Sequence, residues 1–350
     1  MANMNIRKPK FFTDHINFLM ATGTAQNGNF DVESGTDLIT TFNLGSEAEL
    51  FDMKPLNQCQ FETSANSTVR ADHVLVNIDL GQQAVFNCNY VAILNHNLNS
   101  CDGKIRVCNS SSAGSVDSVA EMEDGTATAV ANVEEIVNAD TVSSNVITPA
   151  TDGSTIFSFD SSSNRYWGIQ FEGSDSGNFD STYDLKIGCI MIGESYSMPH
   201  SPDLSVTRTI VYDGVKVQQS VGGQKFGNAS HLGRSFNNAR NKSPFTTATE
   251  AANMYGGRIM YDMNFSYLAS SDVMPSAYDS EVAASDTVIS DVWNRTKGNL
   301  IPFIFSSDNA DKGNDAEQSH IFARFGQSDL KMNQVAMDTF NIQMSIVEEF

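Results

Sequence analysis

Residues 258–268 read R-I-M-Y-D-M-N-F-S-Y-L. Ile259, Tyr261, Met263, Phe265 and Tyr267 alternate with Met260, Asp262, Asn264, Ser266 and Leu268, the period of two that a half-buried strand requires. The end of the chain repeats the pattern, with Phe340, Ile342, Met344 and Ile346 set against Asn341, Gln343, Ser345 and Val347. Between the two lies the clearest helical spacing in the chain. Ala284, Val288, Ile289, Val292 and Trp293 fall on one helical face, predicting a helix near 281–297. Asp279 or Ser280 is the expected cap and Gly298 the stop. I-P-F-I-F and H-I-F-A-R-F read as two further strands.

Working back, Asp213-Gly214 between two β-rich runs predicts a hairpin, and Gly222-Gly223 closes its second strand. The segment S-Y-S-M-P-H-S-P-D has no period and two prolines, which places a domain boundary near 197–204. Before it, Val74, Val76, Ile78 and Leu80 share a face, and Tyr90 to Leu94 reads as a largely buried strand. Ile105 lies in another strand, and Thr155 to Phe159 in a further one. Trp167, Ile169 and Phe171 alternate, as do Leu185, Ile187, Cys189 and Met191. Short strands bounded by turns, without a βαβ rhythm, predict a mainly β protein: an antiparallel sandwich, then a second β-rich domain carrying one packed helix. The expected divisions are an N-terminal arm or short helix over 1–22, a sandwich over 23–197 and the second domain over 198–350. In the arm Thr13 is the expected helix cap, with Ile16, Leu19 and Met20 on the apolar face.

The balance of 21 Lys plus Arg against 42 Asp plus Glu gives a formal charge of −21. Phosphate recognition needs counter-charge, so a broad nucleic-acid surface is not expected. Cys59, Cys88, Cys101, Cys108 and Cys189 are odd in number and lack a CxxC pair, unlike a secreted disulfide scaffold. Cys88 and Cys189, in strand-like surroundings, are expected to be reduced core residues, and the protein is expected to fold in a cytoplasm. The chain start lacks a sustained apolar signal region, and no run of 18 apolar residues spans a membrane.

V-N-I-D-L-G (76–81), Y-V-A-I-L-N-H-N-L (90–98), R-Y-W-G-I-Q-F (165–171) and K-I-G-C-I-M-I-G-E (186–194) resemble the galactose-binding-like, discoidin-type jelly roll in the form found in tailed-bacteriophage virion proteins. The second half, with its hairpin, long loop, strand, helix and strands, is similar to ring-forming domains of phage distal-tail and baseplate proteins. The resemblance spans about 71–194 closely and 205–350 loosely. It implies a non-enzymatic virion protein, made and assembled in the host cytoplasm. Its partners would be copies of itself in a closed ring and other tail or baseplate proteins. A glycan- or receptor-binding module on the virion exterior and a capsid-associated protein are the alternatives.

Asn95, His96 and Asn97 at a strand end are the candidate contacts for a surface glycan or partner; the other reading is a polar turn satisfied by neighbouring backbone. Asp79, Tyr90, Asp102 and Arg106 are near in sequence. Phe11, Phe12, Phe18, Phe226, Phe236 and Phe245 are large apolar groups in polar segments. They are the candidate anchors in a neighbouring subunit's pockets, or they tuck onto their own domain. The loops 109–154 and 224–254 are the other interface candidates, and an acidic inner wall suits a conduit that must not grip phosphate. No cofactor is expected. The His residues lack ligand spacing, G-G-Q-K-F-G (222–227) lacks a Walker ending, and Asp308, Asp311, Asp315 and Glu317 fail the twelve-residue calcium-loop rule. Glu121, Glu123 and Asp124 lie too close in sequence to establish an acid–base pair.

Overall fold

The computed structural model describes residues 7–26, 28–64, 73–81, 86–139, 141–143, 145–173, 178–212, 215–229, 258–276, 286–313, 316 and 319–349. The strands of the first half are β1 (Lys10–Asp14), β2 (Phe30–Val32), β3 (Phe42–Leu44), β4 (Cys59–Phe61), β5 (His73–Asp79), β6 (Cys88–His96), β7 (Gly103–Ser110), β8 (Thr128–Ala129), β9 (Glu134–Val137), β10 (Thr141–Ser143), β11 (Val146–Thr148), β12 (Gly153–Ser162), β13 (Tyr166–Gly173), β14 (Lys186–Ile187) and β15 (Cys189–Ser197). Those of the second half are β16 (Thr207–Val211), β17 (Val215–Gln219), β18 (Lys225–Ala229), β19 (Arg258–Ala269), β20 (Phe303–Ser306), β21 (His320–Phe325), β22 (Met332–Ala336) and β23 (Thr339–Glu348). Helical segments are short: α1 (His15–Ala21), α2 (Val119–Glu123), a 3₁₀ turn (Glu47–Phe51), one turn at Ser270–Val273 and a π-type helix at Val288–Trp293. The protein is thus mainly β with a minor helical component, and its ladders are antiparallel.

One long sheet runs β16-β19-β23-β21-β20-β1-β15-β6-β12-β9, with β22 paired to β23. A second runs β10-β11-β7-β13-β5-β2, with β8 on β7. Their inner faces share a core, seen where Phe159 of β12 meets Trp167 of β13 with ring centroids 5.6 Å apart. Val74, Val76, Ile78, Leu80, Ile105, Ile169 and Phe171 join it, as their alternation requires. β6 is buried along almost its whole length, matching its unbroken apolar run.

The long sheet joins strands from both sides of the 197–204 segment, because β1 lies between β15 and β20. Lys10–Asp14 pairs with Ser197–Gly193 of β15 on one side, and Lys10–Phe12 with Ser306–Ile304 of β20 on the other. Gly193 is needed here, since a Cβ would run into the carbonyl oxygen of Thr13. The segment expected to be an arm or short helix is therefore both a central strand and a helix. The helix is capped by Asp14 rather than Thr13: the Asp14 carboxylate accepts from the Asn17 amide at 2.7 Å.

Three other expectations change. Along β19 Ile259, Tyr261, Met263 and Phe265 are buried as expected, but Tyr267 is 76% exposed and Leu268 is buried. A bulge between Phe265 and Leu268 resets the side-chain alternation. Tyr267 takes a left-handed φ of 61°, and its amide donates to Asn341 at 3.0 Å. Within the 281–297 stretch the described helix is Val288–Trp293, capped by Thr287, whose hydroxyl accepts from the Ser290 amide at 3.2 Å; residues 281–285 and the cap expected at Asp279 or Ser280 lie outside the described residues. The Asn294 amide reaches back five residues to Ile289, widening the turn to π type. Finally, β16 pairs with β19 and β17 with β18, and the β17–β18 hairpin turns at Val221–Gly223; Asp213-Gly214, the expected turn, lie outside the described residues.

Candidate functional site

Side chains on β13 alternate, so Gln170 and Glu172 face away from the core that holds Trp167, Ile169 and Phe171. Register sets Gln170 between Leu75 and Arg106, and Glu172 between His73 and Lys104. α2 covers this outer face. Gly168 leaves the room that the Met122 sulfur fills, and the contact puts Glu123, the last residue of α2, over β13. Gln170 Nε2 donates to Glu123 Oε1 at 2.9 Å, and His73 Nε2 lies 3.5 Å from the same oxygen. Arg106 Nη2 donates to both Glu172 oxygens at 3.2 Å. One ligand-capable atom from each of His73, Glu123 and Glu172 lies within 4.8 Å of the others. His73 Nδ1, Arg106 Nε and Gln170 Oε1 are buried without a hydrogen-bond partner among the described residues.

The sequence reading marked Glu123 only beside Glu121 and Asp124. Those two are taken up locally: Glu121 accepts from Ser118 Oγ at 2.8 Å and Asp124 from the Thr126 amide at 2.8 Å. The missed signal was polarity at the outward positions of β13, where a glutamate is unusual in a strand. Asp308 of the calcium-like loop accepts from the Ala310 amide and lies 3.5 Å from Arg7, while Asp315 and Glu317 lie outside the described residues.

Asn95, His96 and Asn97 hold the chain together from within. His96 is fully buried; its Nδ1 accepts from the Leu98 amide at 3.2 Å, which leaves Nε2–H to donate to Thr155 Oγ1 at 2.8 Å. Burial pushes its pKa down to about 3. Asn95 donates to the Pro55 carbonyl at 2.7 Å. Asn97 bonds the backbone at Asp184 (2.8 Å) and Lys186 (2.6 Å). The loop-tip ligand contact gives way to the polar-turn reading, because each of the three side chains is engaged with the chain's own strands. His96→Ala is expected to lower stability by about 1–3 kcal/mol by orphaning the buried Leu98 amide, measured as a drop in the urea midpoint at pH 7.

The phenylalanines divide. Phe11 and Phe12 are neighbours on β1 and so point to opposite faces. Phe11 joins Phe303, Phe305 and Phe325 in the second core, and Phe12 meets Tyr90 in the first, with centroids 5.1 Å apart. Phe18 is buried too. These three anchor the chain to itself. Phe226 is 56% exposed, and Phe236 and Phe245 lie outside the described residues.

Beside Phe18 lies a buried charged group at the junction of β1, β15 and the π-type helix. Arg295 is 1% exposed, its guanidinium 4.5 Å from the Phe86 ring centroid and 5.6 Å from that of Phe18. Burial, reinforced by the Asp291 charge and opposed by Arg295, pushes the Glu194 carboxyl up to about 7. Burial also pushes Asp14 up to about 6, against hydrogen bonds from Asn17 and Ile192. His15 is driven down to about 3 by burial and by Arg295. All five cysteines are buried and free, and burial pushes Cys59 up to about 12. A cleft of about 660 Å³ opens between α1, the 3₁₀ turn and Leu300–Pro302, with Glu47, Asp52 and Arg324 among its polar lining.

Exposed apolar groups include Ile210 of β16 and Val217 and Phe226 of the β17–β18 hairpin. Among the described strands β17 and β18 pair only with each other. Val217 is opposite Gly227 and Phe226 opposite Gln218, so neither apolar side chain is covered by its cross-strand partner. Leu204, Ile210, Tyr212 and Val221 extend the exposed apolar surface. No described helix is long and apolar enough to cross a membrane. Compared with known proteins, the chain matches no family model, no curated protein and no solved structure.

Proposed function

We propose that this chain is a non-enzymatic structural subunit of a virion, a ring-forming component of a tail, baseplate or adaptor region, with a jelly-roll first half and a ring-domain second half. The observation that supports this reading is the β17–β18 hairpin. A two-stranded hairpin without a covering layer is marginal in water, and exposed Val217, Val221 and Phe226 gain by burial at about 25 cal/mol per Å². Among the described strands, β16 is an edge of the long sheet and so offers a face for pairing. The occupant is a second copy of the chain. Residues 205–229 hold Arg208, Lys216 and Lys225 against Asp213 alone, three positive charges less one negative, in a chain of net −21. This segment therefore complements the acidic surface of a neighbour. A head-to-tail contact of this kind closes a ring when its rotation closes.

Native mass spectrometry and negative-stain imaging of the full chain test the reading, alongside V217D/F226D. The parent is expected to form closed rings of one stoichiometry that loosen at high salt. The variant is expected to stay monomeric with an unchanged melting temperature. A parent that remains single at assembly concentrations, or a variant that assembles as the parent does, overturns it. Shell-like arrays would move the protein to the capsid, and a monomer that binds sugar would favour the receptor-binding alternative.

A further inference from the structure

We infer that His73, Glu123 and Glu172 form a binding site for a divalent metal ion of the zinc class on the outer face of the second sheet. The proposal is independent of ring assembly. The donor set is one imidazole and two carboxylates, which suits Zn²⁺ and similar borderline ions better than Ca²⁺ or Mg²⁺, since those favour all-oxygen shells. Arg106 pairs with Glu172, while Glu123 is met by the Gln170 amide and the His73 ring, so a dication would add positive charge between the two carboxylates. His73 Nε2 stands 3.5 Å from Glu123 Oε1 with no hydrogen bond between them, a separation close to the edge of a tetrahedral site with bonds of about 2.0–2.1 Å.

The surroundings also favour a ligand. Arg106 holds Glu172 and Gln170 holds Glu123, the arrangement by which outer residues orient metal ligands. Gln170 is fully buried, its amide head lies among the carboxylates, and its Oε1 has no partner among the described residues. That oxygen and solvent are the available remaining donors. The three ligand atoms lie within 4.8 Å of one another, so binding must draw them in by roughly 1 Å to meet zinc bond lengths. Glu123 can supply this movement, because it ends a single-turn helix and its side chain is 41% exposed. Its exposed side also gives the ion a route in. The opposing cost is at His73: coordination through Nε2 places the ring proton on Nδ1, which is buried without an acceptor among the described residues.

The test is titration of the EDTA-treated full chain with Zn²⁺ by calorimetry, and with Co²⁺ by visible absorption. One equivalent of Zn²⁺ is expected to bind with a Kd in the micromolar range or tighter, and Co²⁺ to give the intense bands of a four- or five-coordinate site. E123Q is expected to weaken Zn²⁺ at least tenfold, H73Q to abolish the bands, and Q170A to weaken binding by about 10–100-fold. Circular dichroism checks folding. E123Q sits at the surface end of α2, so it remains informative if H73Q does not fold. Absence of saturable binding, an all-oxygen octahedral Co²⁺ spectrum, or affinity unchanged by E123Q overturns the site.

Discussion

Phe11→Ala and Phe12→Ala are each expected to cost about 3–5 kcal/mol of stability, the range for removing a fully buried aromatic side chain. Both residues are 0% exposed, yet they occupy different cores. Hydrogen exchange distinguishes the variants. Phe11→Ala strips the packing of Phe303, Phe305 and Phe325 and should first lower protection in β20, β21 and β23. Phe12→Ala loosens Tyr90, whose hydroxyl donates to the Thr13 carbonyl at 2.9 Å, and should first lower protection in β6 and β15. Because β1 is hydrogen-bonded to β15 and to β20, either loss should spread across the strand to the other half. A urea series giving less than about 1 kcal/mol for both variants, with self-association lost instead, would return these residues to the role of anchors in a neighbour.

The sequence was most readable where period and burial coincide. β23 presents the faces its alternation predicts, because it has one wetter and one dry side, whereas β13 and β15 alternate in sequence but are covered on both faces. Reading failed where a single residue shifts the register. Nothing in N-F-S-Y-L announces the bulge at Tyr267, which depends on Asn341 seventy-four positions away. It failed again at Phe11-Phe12. Two adjacent aromatics in a polar segment look like surface anchors unless the strand they belong to has a core on each face, and that depends on β15 and β20, both distant in sequence. The polar cluster was half visible. Glu123 drew notice, but its partners come from β5, β7 and β13, and only the ladder register brings His73, Arg106, Gln170 and Glu172 together.

The buried charges at the junction predict how stability changes with pH. Glu194 titrates at about 7 in the folded chain against an ordinary 4.5, and Asp14 at about 6 against 3.8. The folded state holds these protons more tightly, so the stabilisation is complete below the ordinary values and disappears as pH rises through the folded ones. His15 and His96, each down to about 3 from 6.5, and His320, down to about 4, act in the opposite sense. Their contribution is present above pH 6.5 and is lost as pH falls towards 3–4. The two sets oppose each other between about pH 4.5 and 6.5, flattening the profile, and above that Glu194 alone still titrates towards its folded value. Glu194→Gln removes this term. Relative to the parent, the variant should gain on the order of 2–3 kcal/mol between pH 4.5 and pH 8, beyond any constant offset from the substitution. Asp291 and Asp286 add to the upward push on Glu194, and Arg295 restrains it, so Arg295→Met should move the Glu194 titration higher still. Urea midpoints for parent and variant across this range check the prediction, and a stability difference that does not change with pH would show that Glu194 ionises in the folded chain as it does in the unfolded one.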